Sequence, residues 1–470
     1  MPHIAIIGAG ITGTTLSLGL TARGIAHTVY EQGRHPAELG AGLGLGPNAA
    51  RALRIAHAGL YERFLEVCTP RDMKWRPSSS SSSSVSGGSG SFGSSSGIRE
   101  EGRGEKQGEE EPVWIEFLDG TSPLAARELK PAFRIPCPYP EGHGAVHRAR
   151  WLEVLMGMVA EGVVQFGKRL EGIEDRGDGG RLVLRFEDGT TAQAGAVVGC
   201  DGVKSKVREV LVGGRDKEGA KCGYSGKYAY RCMIPMERAV EELGPGRAGC
   251  SSLWMGHGRH VLTFPVGRPG PDQLLNLVAF VTDSNESWPS QDARSFTLPA
   301  TRDDALLDFE QGGFSNTWGL FDLAAHPLPS FHAGRILVIG DAAHASTPHH
   351  GSGAGFCMED VAVLSSLLEE MAAKHHPPEV DSSNQAHKLQ AVFAAFDASR
   401  RERDQWLVQS SRRAAELYEW RLPNTGKGWF ETMRKDIEER QAVCWGIDLD
   451  KAIAEAREDV RRRLAVASRC

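Results

Sequence analysis

Residues 3 to 32 read HIAIIGAGITGTTLSLGLTARGIAHTVYEQ, and their order decides the fold. The apolar run Ile4–Ile7 predicts a buried strand entering a tight turn, Leu16 and Leu20 recur at helical spacing, and AHTVYEQ predicts a second short strand. Gly8, Gly10 and Gly13 form GxGxxG between strand and helix, and Glu31 closes the next strand about twenty residues on. Glycines at these positions permit the turn and let backbone and helix N-terminus approach a pyrophosphate. The acidic side chain accepts from ribose hydroxyls. A merely structural Gly-rich turn has no need of that acid, so the unit is read as a dinucleotide-binding one, without distinguishing FAD from NAD.

Working outward, RLVLRFEDGTTAQAGAVVGCDG predicts a hairpin turning at Asp188-Gly189, followed by a buried strand. Short apolar runs such as HVLTFPV and LLNLVAFVT alternate with Gly and Pro between Lys221 and Leu328, which predicts a sheet-rich unit. RILVIGDAAH is again a buried strand, GAGFCMEDVAVLSSLLEEMAAKHH a helix, and the chain from about Gln385 is mostly helical. The run Pro77–Glu111, rich in Ser and almost without aliphatic residues, buries too little to offset its ordering entropy. It is read as a disordered insert at a loop tip, against the lesser alternative of a phosphorylated regulatory loop.

The 470 residues exceed what one core usually serves and suggest roughly three units. A net charge of −6 provides no basic field for nucleic acid or an anionic membrane. No stretch reaches the ~18 apolar residues of a membrane span. The nine cysteines are scattered without a CxxC pair, as expected of reduced thiols. With the HIAIIG start lacking a basic leader and the chain ending in Ser468-Arg469-Cys470, the expected location is cytoplasmic. Small-molecule chemistry is the expectation.

Three further stretches separate FAD from NAD: GAGLGLGPNAARAL at 40–53, VVGCDGVKSKVR at 197–208 and ILVIGDAAHASTPHHGSGAGFCMED at 336–360. With them the chain resembles the single-component FAD-dependent aromatic hydroxylases, the family of para-hydroxybenzoate and salicylate hydroxylases, and most closely the salicylate-hydroxylase-like branch of fungal polyketide pathways. The Gly-rich fingerprint, the pair His147-Arg148, Asp201-Gly202 and Gly340-Asp341 occur in the family's order. The likeness extends over nearly the whole chain outside the Ser-rich run. It implies an α/β fold with a Rossmann-type FAD-binding domain (1–75, 142–212 and 330–375) interleaved with a sheet-rich substrate domain (113–141 and 213–329). Residues 76–112 form the insert and 376–470 a helical C-terminal region.

Residue by residue, the resemblance implies that Glu31 holds the FAD ribose, Gly44 lies beside the cofactor, Arg148 contacts the pyrophosphate and Asp341 accepts from the ribityl chain. Gly353, Ala354 and Gly355 open a helix whose free N–H groups and dipole face the pyrimidine end of the isoalloxazine. FAD is expected to be noncovalent, with NADH or NADPH as cosubstrate, and Asp201 to serve both dinucleotides. The implied reaction is hydroxylation of a phenolic small molecule, salicylate-like or polyketide-derived, through a flavin hydroperoxide. Arg208 and Tyr230 match positions that hold the substrate phenolate in the dearomatising members; a cation favours the ionised phenol and a hydroxyl adds a directional bond. Arg231 and His260 rank second for the same pocket. No metal is expected, since the pairs His349-His350 and His375-His376 point apart and no motif places a third ligand. Leu417–Trp420 and Trp429 are read as packing. A flavin oxidase or reductase without hydroxylation is the alternative, and the lack of a second GxGxxG disfavours enzymes with two dinucleotide domains.

Overall fold

A computed structural model describes residues 3–35, 42–69, 112–124, 128–175, 180–213, 219–285, 287–288, 317–373, 382–422 and 428–467. The run Pro77–Glu111, the pair His375-His376 and the last three residues lie outside them. The fold is α/β and carries two principal sheets. The first has six strands in the order His332–Ala333, Ile336–Val338, Ala196–Gly199, Ile4–Ile7, His27–Tyr30, Val164–Gln165, parallel except at the His332 edge. Every residue of Ile4–Ile7 and of Ala196–Gly199 is buried. A parallel sheet covered on both faces requires such unbroken apolar runs, and this explains why these segments show no alternation.

The second sheet has seven strands in the order Thr317–Asp322, Gly223–Pro235, Leu274–Thr282, Arg259–Val266, Ser252–Gly256, Val113–Asp119, Phe133–Pro136. Its three central strands pair antiparallel in register, Ala229 opposite Phe280 and Phe280 opposite His260. Alternation along an extended strand then assigns Lys227, Ala229 and Arg231 to one face with Val278, Phe280, Thr282, His260 and Leu262. Tyr228, Tyr230 and Cys232 belong to the opposite face, as do Ile234 and Leu275, which the helix Met236–Ala248 covers.

Between the sheets lies the two-stranded pair Gly42–Leu45 and Gly144–His147. A Cβ on Gly42 would stand 2.6 Å from the Phe264 ring, and the Gly42 N–H donates to Asn276 Oδ1 at 3.1 Å. This two-stranded ladder therefore abuts the His260 face of the second sheet. The hairpin expected around Asp188-Gly189 forms from Leu182–Phe186 and Thr191–Ala194, with Gly189 at φ 79° in the turn. The helix Gly353–Ala373 packs on the first sheet's helices, and the long helix Ser382–Tyr418 lies against it. Helices Trp429–Trp445 and Leu449–Ala467 complete the C-terminal part. No described helix is long and apolar enough to cross a membrane.

Candidate active site

The helix Ile11–Ala22 opens at Gly10 with no side-chain cap and no acid in its first turn, so its orphan N–H groups and positive end stay available to an anion. Gly8 has φ 99°, and a Cβ on Gly13 would lie 2.0 Å from the Gly8 carbonyl oxygen. Both positions exclude any larger residue, which is the fit a pyrophosphate cradle requires. Glu31 ends the neighbouring strand. Its carboxylate accepts from Ala9 N at 2.8 Å and Gly33 N at 2.7 Å, leaving two of its roughly four lone-pair positions for ribose hydroxyls. Gly13→Ala is expected to lower flavin absorbance per protein by roughly 5- to 150-fold, because the clash is with backbone and overpacking costs ~1–3 kcal/mol. Full flavin content in that variant would dismiss the cradle.

Asp341 follows Gly340, whose φ is 62° and whose Cβ would meet the Thr12 side chain at 3.0 Å. A buried ionic network fixes this turn from below. Asp360 accepts from Gly340 N at 2.9 Å and pairs with His344 Nε2 at 2.8 Å. Arg400 donates to Asp360, Glu359 and Asp404 at 2.8, 2.7 and 2.6 Å, and Asn48 donates to Glu359 at 2.7 Å. Burial opposes charge on His344, but Asp404 and Asp360 lift it to about 9. Burial, with Asp360 beside it, pushes Asp404 up. His344, Asp360 and Asp404 converge as metal ligands would, yet the Arg400 guanidinium already neutralises that group. The network is thus an internal brace for the Gly340-Asp341 turn. Gly44 and Ala354 stand close by, Gly44 opposite Ala145 in the two-stranded ladder and Ala354 in the first turn of Gly353–Ala373. Arg148 is exposed at the start of the helix Arg148–Met158, directly after the strand residue that pairs with Gly42.

Opposite these elements, the second sheet presents its mixed face. Arg231 lies over the Trp318 ring at 5.4 Å, and its buried Nε has no hydrogen-bond partner. Burial and then the nearby Arg148 guanidinium push it down to about 10. Val278, Phe280 and Leu262 form an apolar floor leading from Arg231 to His260. His260 stacks on Phe280 at 4.5 Å between ring centroids, and both rings meet His349 from the Pro348–His350 turn, at 5.1 and 4.9 Å. His350 turns away to Ser410 Oγ at 2.8 Å and stacks on Trp406, so the adjacent imidazoles diverge.

Arg208 and Tyr230 are not brought together on this face. Arg208 is 1% exposed and donates to the carbonyls of Ala220, Ala342 and Val203 at 2.7, 2.9 and 2.5 Å. Its guanidinium is spent on backbone acceptors that tie the helix Lys206–Val212 to the Gly340-Asp341 turn. Tyr230 packs edge-to-face against Tyr228, 5.6 Å away, on the far side of the sheet, because one residue along a strand reverses the face. Asp201 accepts from Ser205 Oγ and from the N–H groups of Lys206 and Val207, and so caps that helix. Cys200 is a buried thiol pushed well up by burial, and a Cβ on Gly13 would lie 3.2 Å from its Cβ. Sequence reasoning missed Glu419 and Lys227, which stand behind His260. Their signal was present: an acid between Tyr418 and Trp420 at a helix end, and a lysine in phase with Ala229 and Arg231.

A family model described as "FAD binding domain" matches residues 2–389. An FAD-dependent monooxygenase of Aspergillus niger is 36% identical over 98% of both chains. A salicylate hydroxylase of Sarocladium schorii is 33% identical over 98% of this chain and 91% of its own length. Among solved structures, a salicylate hydroxylase in a substrate complex superposes with a TM-score of 0.71 at 25% identity, over 97% of this chain and 98% of the other.

Proposed function

Because the chain belongs to the FAD-binding-domain family of monooxygenases, we propose that it hydroxylates a phenol held between Arg231 and the turn carrying His349. It is an FAD-dependent aromatic hydroxylase that uses NADH or NADPH and O2. FAD, held without a covalent tether, would supply hydride acceptance from the nicotinamide and activation of O2, so that one oxygen atom would enter the ring and the other would leave as water. The chain's own residues bind and orient. Gly8, Gly10 and Gly13 hold the pyrophosphate with the fork of Arg148, and Glu31 holds the ribose. Asp341 would accept from the ribityl chain, and Gly44 and the helix start at Ala354 would lie beside the flavin, the latter offering free N–H groups and a positive dipole end. This division assigns 1–75, 142–212 and 330–375 to the cofactor, 113–141 with 213–329 to substrate, and 376–470 to a helical support. Free thiols at the described cysteines suit a cytoplasmic setting.

The observation that carries the substrate reading is Arg231, a cation with a buried, unpartnered Nε facing the cofactor side. An ionised phenol or an aromatic carboxylate supplies the missing acceptor, and ionisation enriches the ring with electrons. We assign that role to Arg231 in preference to Arg208 and Tyr230. A salicylate-like or polyketide-derived phenol fits the pocket's combination of cation, apolar floor and imidazoles. The test is a panel of salicylates and resorcinol-type aldehydes, with NAD(P)H oxidation followed together with product mass. Phenol-stimulated oxidation with the gain of one oxygen atom is expected. Oxidation that yields only H2O2 with every phenol would leave a flavin oxidase or reductase.

A further inference from the structure

Behind His260 stands a polar group that neither cofactor binding nor the Arg231 anchor uses. His260 Nδ1 meets Glu419 Oε1 at 3.1 Å, and the other Glu419 oxygen accepts from Lys227 Nζ, at 2.5 Å, and from Thr282 Oγ1. Lys227 also pairs with Glu416 at 3.0 Å. His260 is 2% exposed and Glu419 fully buried. Such a group is expensive to bury and is disposed to fix one geometry.

The backbone fixes the same geometry a second time. Trp420, next to Glu419, has φ 51° and is the one positive-φ residue other than glycine among the described residues. Trp420 N donates to Leu417 O and Arg421 N to Glu416 O, which closes the helix Ser382–Tyr418 in a Schellman arrangement with a tryptophan where glycine is usual. A bulky residue held left-handed is strained and persists where surrounding structure over-determines it. Glu419 also accepts, at its carbonyl, from Gly258 N in the turn that leads into the His260 strand.

His349 completes the pole. It is 7% exposed, and neither of its ring nitrogens has a partner. By strand geometry, Arg231 and His260 are roughly 12 Å apart at Cα, two strands across and two residues along.

We propose that His260, positioned by Glu419 and Lys227, accepts the proton from a ring hydroxyl of the substrate, while His349 hydrogen-bonds the same oxygen. This rests on the phenol-hydroxylase reading and adds a base at the pole opposite Arg231. The Nδ1–H of His260 donates to Glu419, so Nε2 carries the lone pair. In the step, the substrate O–H bond breaks, an N–H bond forms at Nε2, and the electron pair stays on the ring oxygen, where it feeds the carbon to be hydroxylated. Glu419 stabilises the imidazolium so formed. Before turnover His260 is neutral: burial pushes it down, and Glu419 counters only in part. The titratable and charged groups facing it are Lys227 from its own sheet, Glu419 and Tyr418 at the helix end with Glu416 behind Lys227, and His349 from the turn, beyond which His350 points away.

The test is the pH profile of product formation, with whichever of salicylate or a resorcinol-type aldehyde the wild-type enzyme hydroxylates faster. His260→Asn keeps an N–H at the Nδ1 position for Glu419 but cannot take a proton. It is expected to lower product formation ~10²- to 10⁴-fold near neutrality, with FAD content unchanged and activity recovering as the pH nears that at which the phenol ionises unaided. Glu419→Gln keeps the hydrogen bond and loses the charge, so the acid limb should move to lower pH and the plateau should fall. Wild-type rates and pH limbs in His260→Asn, or in Glu419→Gln should His260→Asn fail to fold, overturn the proposal. Failure of the wild-type enzyme to hydroxylate any phenol overturns the underlying reading as well, and is told apart because no variant is needed to see it.

Discussion

Arg231→Gln is expected to lower hydroxylated product by roughly two orders of magnitude while flavin content stays near the wild-type level. Removing one partner of a buried, charge-assisted contact typically costs ~2–5 kcal/mol, and each ~1.4 kcal/mol is tenfold. Arg231 sits over Trp318 with its Nε unpartnered, so the contact forfeited with its charge is that cation–π pair, typically worth ~0.5–2 kcal/mol. The deficit should appear as uncoupling: NAD(P)H is still oxidised, but oxygen leaves as H2O2 because the ring is neither ionised nor held. Raising the pH should restore part of the yield by ionising the phenol in solution. Tyr230→Phe, on the other face of the same strand, should leave coupling unchanged. Measuring product per NAD(P)H in both variants decides between the faces, and equal yields would remove Arg231 from the site.

Arg400→Met should be the most destabilising single change. It deletes the cation that touches all three of the fully buried Glu359, Asp360 and Asp404, leaving Arg403 on Glu359 and His344 on Asp360. Breaking a buried ion group from one side typically costs ~3–5 kcal/mol, which for a chain of this size should lower Tm by roughly 3–5 °C. Without Arg400 the buried carboxylates bind protons more tightly folded than unfolded, so the variant should regain stability as pH falls. The wild-type protein carries a weaker form of the same dependence. His344, lifted from 6.5 to about 9, contributes stability that is fully present below about 6.5 and lost as pH rises through about 9. Thermal melts across that range test both statements; a variant that melts with the wild type would show the network to be dispensable. Flavin occupancy should fall with stability, since Asp360 holds the Gly340 N–H that shapes the turn before Asp341.

The cofactor side was legible because its signals are local. Gly13, against the Gly8 carbonyl, and Glu31, against the N–H groups of Ala9 and Gly33, are dictated within one strand-helix-strand unit, although Gly8 itself packs on Cys200 from a distant strand, and a parallel sheet announces itself by runs such as Ile4–Ile7. The substrate side was less so, because its roles depend on which way a strand faces. Tyr230 and Arg231 are neighbours in sequence and lie on opposite sides of the sheet, and nothing within the stretch YAYRCMIP says which side meets the cofactor. Arg208 resembled a substrate cation but is consumed by carbonyls from Val203, Ala220 and Ala342, two of them far from it in sequence. Glu419 escaped notice for the same reason: its partners Lys227, His260 and Thr282 come from three strands more than a hundred residues away.

The helix Ser382–Tyr418 holds Arg400 under the Gly340-Asp341 turn and delivers Glu419 to His260. At ~1.5 Å per residue, the stretch between these two positions is about 28 Å long. It behaves as a gauge bar clamped at both ends, one jaw set under the Gly340-Asp341 turn and the other against His260. Its graduations are angular as well as linear, since each residue adds ~100° of turn. Drift in sequence can therefore change the exposed residues along the bar freely, whereas a one-residue insertion or deletion within it would swing one jaw out of line. Relatives that retain both jaws should keep this interval at constant length even where the flanking loops vary.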